Sequence, residues 1–317
     1  HNVTQTIVRD NRIHNARDGL HLQGQGTSIS STILRNIVRD ATRFGLYLEA
    51  VDGGEIANTA LRDNIISGTG NDGIRVEARR DSRLTNLVIA NNTVHDLVPH
   101  GASSIYGDGI DVLIVSGSTA TNIAIVNNTL FNLPDDGINI GINRNGEPNN
   151  NGFGRSVDDV LIAGNRINNI GFNTHACGAG IEIYNNAGND TVFGNISIVD
   201  NVISDTRHGS IVIDSTSHAD TPPPNRAGIF AFRAMTGNTS SNPHNGADIF
   251  FLLGNGNTPA TAATAEFSGI GTVVARNPIP AAVAAALQAN NNLGANLGWS
   301  QSNNRNNNCP NPQMTTQ

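Results

Sequence analysis

The sequence predicts an all-β chain folded as a right-handed parallel β-helix, and three observations carry that reading. An apolar-x-x-Asn-x-apolar motif recurs seven times, and a Gly-apolar-x-apolar motif follows almost every copy. Charged residues (14%) and aromatics (4%) are scarce, while glycine and asparagine, which tolerate unusual backbone angles at corners, are plentiful.

The first motif falls at Val8/Asn11/Ile13, Ile33/Asn36/Val38, Leu61/Asn64/Ile66, Ile89/Asn92/Val94, Ile125/Asn128/Leu130, Ile162/Asn165/Ile167 and Ile198/Asn201/Ile203. Successive asparagines are 25, 28, 28, 36, 37 and 36 residues apart. Repetition at such a period is the mark of a solenoid. Coils stack roughly 4.8 Å apart, so the asparagines are expected to lie above one another at a bend. Their amides would then form a hydrogen-bonded ladder.

The second motif reads GLHL (19–22), GLYL (45–48), GIRV (73–76), GIDV (109–112), GINI (137–140) and GIEI (180–183), and HGSIVI (208–213) runs one residue out of step. Period-two alternation marks each as a short strand with one face inward. Aspartates 18, 72, 108 and 136 precede glycines, and Asp-Gly is an ordinary turn pair, so these are read mainly as structural.

Regular coils are expected over 1–215. Beyond about 226 the motifs fade, though GIFAF (228–232) and DIFFLL (248–253) still read as strands, and one domain is expected to run to residue 298. AAVAAALQAN, after Pro278 and Pro280, predicts a short helix capping the end of the solenoid. Residues 299–317 form a low-complexity tail. Cys177 and Cys309 are read as one disulfide, implying an oxidising compartment. No apolar run approaches the ~20 residues of a membrane span, and the expected location is secreted or at the cell surface. The chain opens directly in repeat sequence, so a terminal cap is expected to have been removed or to be supplied by a neighbouring subunit.

The formal net charge is −7, and all 19 basic residues are arginines. Nucleic-acid binding wants a basic stripe, which this composition does not offer.

These Asn-x-Ile and Asp-Gly-Ile coils resemble the repeats of the pectate-lyase-like superfamily over about residues 1 to 215, which implies a parallel β-helix. That superfamily includes polysaccharide lyases, polygalacturonase-type hydrolases, alginate epimerases, tailspikes and non-catalytic surface proteins. YGDGIDV (106–112) followed by PDDGINI (134–140) resembles the two aspartate motifs of the polygalacturonase-type hydrolases. The resemblance implies catalytic carboxylates at Asp108, Asp135 and Asp136. Where that family has a histidine this chain has Ala179, with RHG (207–209) one coil later. DTRHG (205–209) with STSH (215–218) resembles a segment of alginate C5-epimerases.

Coil lengths point to the same region. From ladder Asn to following Gly the spacing is 17 residues at Asn92–Gly109 and 15 at Asn165–Gly180, against eight or nine elsewhere. Such insertions, with those at 143–156 and 215–225, are where binding residues gather. They are expected to wall a groove floored by the outward side chains of the Gly-Ile strands. One outward column reads His21, Tyr47, Arg75, Asp111, Asn139, Glu182, and the next Gln23, Glu49, Glu77, Leu113, Gly141, Tyr184. Arg75 should pair with Asp111. Glu49 and Glu77, like charges one coil apart, should raise one proton affinity or recruit a cation such as Ca²⁺. No cofactor is required.

The candidate catalytic groups are therefore Asp108, Asp111, Asp135, Asp136 and Glu182. Tyr47, Arg75, Tyr106, Asn139, Tyr184, Arg207 and His208 are candidates for holding a sugar chain. Carboxylates one or two coils apart span roughly 5–10 Å, the range used in glycoside hydrolysis, and hydrolysis of an extracellular polysaccharide is preferred to elimination or epimerisation. The alternative is a non-catalytic surface protein, an adhesin stalk or a homo-oligomeric filament stacked end to end.

Overall fold

The computed structural model describes residues 5–98, 107–143, 156–171, 178–185, 192–214, 229–243, 249–252, 266–267 and 273–275. The protein is a right-handed parallel β-helix in which every strand pairing is parallel. Among the described residues the coils feed three sheets, of ten, nine and eight strands, usually with one strand each; the second coil gives the ten-stranded sheet two short ones, Ser28–Ile29 and Ser31–Leu34. In the third complete coil, Glu55–Arg62 lies in the ten-stranded sheet, Ile65–Ser67 in the eight-stranded sheet and Ile74–Arg79 in the nine-stranded sheet. The nine-stranded sheet carries the Gly-Ile strands and is called the floor below. Among the described residues there is no helix. The predicted capping helix, the tail and both cysteines lie outside them.

The corner between the first two strands of each coil shows how the composition dictates the turn. The residue before each ladder asparagine adopts a left-handed backbone conformation. It is Asp10, Arg35, Asp63, Asn91, Asn127, Gly164, Asp200 and Gly237 in turn, with φ between 52° and 67°. Asn, Asp and Gly reach this region at least cost. The exception, Arg35, is clamped by a two-pronged bond to Asp10 at 2.7 and 2.8 Å.

The ladder forms as expected. The backbone N–H and Nδ2 of Asn64 both donate to Oδ1 of Asn92, at 3.0 and 2.9 Å, and Nδ2 also donates to the carbonyl of Ile33 at 3.0 Å. The pattern runs past the last sequence motif, because Asn201 donates to Asn238 in the same way. Inside, the aliphatic columns of all three sheets merge into one core, with Phe193 and Phe230 stacked 5.2 Å apart towards the C-terminal coils.

Candidate functional site

The registers of the floor strands place its outward side chains in two columns. One is His21–Tyr47–Arg75–Asp111–Asn139–Glu182, the other Gln23–Glu49–Glu77–Leu113–Gly141–Tyr184. Alternate residues on these strands (Ile74, Val76, Ile110, Val112) belong to the core, so the columns face away from it. Several are nonetheless buried: Asp111 and Glu182 are each 4% exposed. Charge buried at this depth must be paired or protonated.

Arg75 is the hub of the middle coils. Its Nη1 donates to Asp111 Oδ2 at 2.7 Å and to Asp72 Oδ2 at 3.0 Å, and its Nε lies 3.5 Å from Glu77 Oε2. The expected Arg75–Asp111 pair is present. Burial pushes the Asp111 carboxyl up to about 7 against the pull of Arg75. Its second oxygen, Oδ1, is buried with no hydrogen-bond partner.

The aspartates before the glycines form a ladder of their own. Asp72 Oδ1 accepts the backbone N–H of Asp108 at 3.2 Å, Asp108 Oδ1 that of Asp136 at 2.9 Å, and Asp136 Oδ1 that of Ala179 at 2.6 Å. They therefore stitch coils together, as their turn role predicts, while keeping one oxygen each for other work. Asp108 Oδ2 accepts from Asn139 Nδ2 at 3.3 Å. Asp136 hydrogen-bonds the carboxyl of Glu182, a contact that needs a proton between the two acids.

Burial holds Asp108 well above the usual carboxylate range, reinforced by the charges of Asp135, Asp72 and Asp111. Asp136 is raised likewise, by burial and then by Glu182, Asp135 and Asp108. Asp135 is only half-buried. Oxygen atoms of Asp108, Asp135 and Asp136 lie within 4.8 Å of one another, as do those of Asp72, Asp108 and Asp111. Asp72 is the member that turn chemistry concealed, since its Asp-Gly pairing was read mainly as structural.

Glu49 and Glu77 meet a different environment from the one their spacing alone suggests. Glu49 Oε1 accepts from Gln23 at 2.8 Å and lies 3.1 Å from His21 Nε2; its Oε2 accepts from Tyr47 at 2.8 Å and Arg79 at 2.6 Å. The Tyr47 hydroxyl also reaches Glu77 at 3.2 Å. Arginine, amide and phenol thus occupy the Glu49 oxygens that a cation would need. Arg79 continues the outward alternation of Arg75 and Glu77 by two residues, which is the signal that would have found it. Burial drives the Tyr47 hydroxyl far above its ordinary pKa. His21 stacks on Tyr47, with centroids 4.6 Å apart.

The remaining candidates are spread along the floor. The Tyr184 ring lies over Gly141, in space that a Cβ there would fill. His208 is buried one coil further on, its backbone N–H bonded to the carbonyl of Gly178, and Arg207 is half-buried beside it. Register explains the irregular HGSIVI: Ile211 pairs with Ile181, so Ser210 stands where other coils have glycine. Tyr106, Cys177 and Cys309 lie outside the described residues.

Among the described residues, the groups close enough to share an ion are the two aspartate triads. All-oxygen donors suit hard cations, whereas copper favours imidazole and sulfur. His14 is bonded to Asn15, His21 to Glu49 and His95 to Asp96, and among the described residues no histidine joins a group of three or more such side chains close enough to share an ion. Among the described residues no helix is long and apolar enough to cross a membrane.

Residues 1–98 match the family Periplasmic copper-binding protein (NosD). No curated protein and no solved structure matches the chain. The described donor set does not fit copper. What the matched segment and the aspartate centre share is the β-helix itself, whose third complete coil supplies Asp72 and Arg75.

Proposed function

We propose that the chain is a periplasmic or secreted glycan hydrolase that cleaves an extracellular polysaccharide with the carboxyl groups of Asp108, Asp135 and Asp136. The observation that carries this reading is the carboxyl cluster itself. Three carboxyl groups lie within 4.8 Å of one another, two buried and driven towards the protonated form, the third half-exposed. A buried acid driven towards the protonated form beside a carboxyl group nearer the solvent is the asymmetry from which glycoside hydrolysis divides its two roles. The periplasmic setting rests on the name of the family that residues 1–98 match.

In this mechanism Asp136, sharing its proton with Glu182, protonates the leaving glycosidic oxygen as the C–O bond breaks. Asp135 attacks the anomeric carbon, because oxygens within 4.8 Å of one another leave no room for the water that sits between carboxyl groups roughly 6.5–9.5 Å apart when a carboxylate activates water instead. Water then cleaves the glycosyl ester and returns its proton to Asp136. Asp108 and Asp111 fix the field around the pair, and Asn139 and Tyr184 lie along the floor to position the sugar.

The test is a polysaccharide panel read for new reducing ends and for the ultraviolet absorbance of unsaturated uronates. Reducing ends alone, lost in Asp135→Asn and Asp136→Asn, support hydrolysis. Both signals together identify a lyase and sink the proposal. No product from any polymer returns the chain to the structural, end-to-end stacking reading.

A further inference from the structure

We infer that Asp108 and Asp111 hold one proton between them, and that Asn139 is the positioning residue that joins the two acids through it. The inference rests on the hydrolase reading only for what Asp108 does in the carboxyl cluster; the shared proton is a property of the chain without substrate.

Asp111 Oδ1 and Asn139 Oδ1 are buried and have no hydrogen-bond partner among the described residues. The two residues are register neighbours in one outward column, on coils stacked roughly 4.8 Å apart. Two acceptors cannot bond each other, and a buried acceptor left unpaired is destabilising. Of the two side chains only Asp111 can take up a proton near neutral pH, and a protonated carboxyl is a donor. A proton on Asp111 Oδ1 therefore satisfies both oxygens at once. Asp111 Oδ2 is left to accept from Arg75 at 2.7 Å, a bond that a neutral carboxyl also makes.

The other end of the same amide reaches the second acid. Asn139 Nδ2 donates to Asp108 Oδ2 at 3.3 Å, and Asp108 Oδ1 accepts the backbone N–H of Asp136 at 2.9 Å. The bonds made to Asp108 suit an ionised carboxyl, while the one open to Asp111 suits a neutral carboxyl. An amide presents a donor and an acceptor of similar shape. Turned end for end, Asn139 would give Nδ2 to an ionised Asp111 and accept from a protonated Asp108. Each arrangement contains one proton. A pair with two protons or with none leaves one end of the amide badly matched.

The surroundings keep that proton in place. Asp111 is faced by Arg75, Asp72 and Glu77, and Asp108 by Asp135, Asp72 and Asp111. Glu182, register neighbour of Asn139 on the following coil, is bonded to Asp136. Burial outweighs Arg75 in this group, because both carboxyls are raised, Asp111 to about 7. Two ionised carboxylates at this depth would repel each other without water to screen them. Asn139 thereby ties the protonation of Asp108, inside the cluster, to that of Asp111 outside it.

The experiment is a carboxyl-carbon NMR titration of the whole chain, labelled at aspartate, with a chelator and without glycan. Asp108→Asn and Asp111→Asn assign the two signals. The pair should titrate in two steps and hold one proton across neutral pH. Asn139→Leu should draw the steps together by about one pH unit or more, the first moving up and the second down, because the amide favours the singly protonated pair over both other states. Losing a side chain that merely packs here would move both steps the same way. Thermal melts at neutral pH give a second reading. Asp111→Asn carries an N–H where the neutral acid carries its O–H, so it should melt close to the unsubstituted chain, and Asp111→Leu several degrees lower.

Two protons, or none, on the pair at neutral pH overturns the inference. So does a shift of both steps in one direction in Asn139→Leu, or an Asp111→Asn variant that melts as low as Asp111→Leu. Release of the proton on adding Ca²⁺ at neutral pH also overturns it, because a cation would then be what joins the oxygens. A polysaccharide panel without product removes the hydrolase reading and leaves the shared proton standing. Cleavage by a chain whose pair holds no proton keeps the hydrolase and overturns the inference.

Discussion

Asp111 and Arg75 are register neighbours on adjacent coils, and the 2.7 Å bond between them engages one oxygen of a carboxylate whose other oxygen is buried and unpartnered. Arg75 also holds Asp72 and lies 3.5 Å from Glu77. Removing it would leave buried carboxylates without their counter-charge, and breaking a buried ion pair from one side costs about 3–5 kcal/mol. Arg75→Leu should lower stability to urea by about that amount. Arg75→Lys should fall between, because one ammonium cannot reproduce a planar fork that bonds through both Nη1 and Nε. Equal stability of the two variants would show that geometry, rather than charge, is what Arg75 provides.

The asparagine ladder gives a prediction with an internal control. Asn92 accepts two bonds from Asn64 through Oδ1, while its Nδ2 donates to the carbonyl of Leu61 and to Asn128, all at buried positions. Asn92→Ala leaves buried donors and acceptors unpaired, at about 1–3 kcal/mol for each group so exposed, and should cost about 3 kcal/mol in total. Asn86 belongs to a second amide column, donating to Asn58 at 2.8 Å and accepting from Asn122 at 2.7 Å, but that column is solvent-exposed. Asn86→Ala should shift stability by only a few tenths of a kcal/mol from the lost bonds, although its left-handed backbone, φ 54°, adds the modest cost of placing alanine there. Chemical denaturation of both variants reads the difference.

The fold was legible because a solenoid writes itself into the sequence one coil at a time. Asn–apolar spacing located the corner, and strand alternation then assigned both floor columns residue by residue, including the Arg75–Asp111 neighbourhood. The ladder's continuation to Asn238 was hidden because Ser240 sits where the motif expects an apolar residue. The site was only partly legible. Aspartates 108 and 136 double as rungs of a backbone-binding ladder, so a turn signature and a site signature coincide on the same residues. How buried the outward face is cannot be read from alternation, and burial is what raises Asp111 and leaves its Oδ1 unpartnered. That Arg79, Gln23 and Tyr47 take the oxygens of Glu49 likewise depends on side-chain reach, which column membership does not encode.

Stability should fall as pH rises from mildly acidic to mildly alkaline. Asp111 titrates near 7 in the folded chain against an ordinary 3.8, so between those values the native state keeps a proton that the unfolded chain has released. Its contribution is complete below about pH 4, is lost progressively as pH approaches 7, and is flat above. Asp72, Asp108 and Asp136 are shifted in the same direction. Asp18 opposes them: it is lowered despite partial burial because Arg43 bonds it, so its contribution is lost on acidification. The melting temperature should therefore be higher at about pH 5 than at about pH 8, and Asp111→Asn should flatten that slope. A melting temperature that climbs steadily to pH 8 would contradict the raised carboxyls.

Gly141 and Tyr184 test whether the floor's aromatic residue acts in binding. The two are register neighbours, and the ring of Tyr184 occupies the space a Cβ at position 141 would need. Gly141→Ala must therefore displace the ring or strain the strand, and overpacking of this kind costs about 1–3 kcal/mol. Tyr184→Ala in the same background removes the clash and should recover most of that loss, a non-additivity expected only of touching residues. If Tyr184 positions the sugar chain, Gly141→Ala should raise KM with kcat little changed, because the carboxyl cluster lies elsewhere on the floor and is left intact. A fall in kcat at constant KM would instead mean that the ring's placement reaches Glu182, two residues before it on the same strand, and through it the proton shared with Asp136.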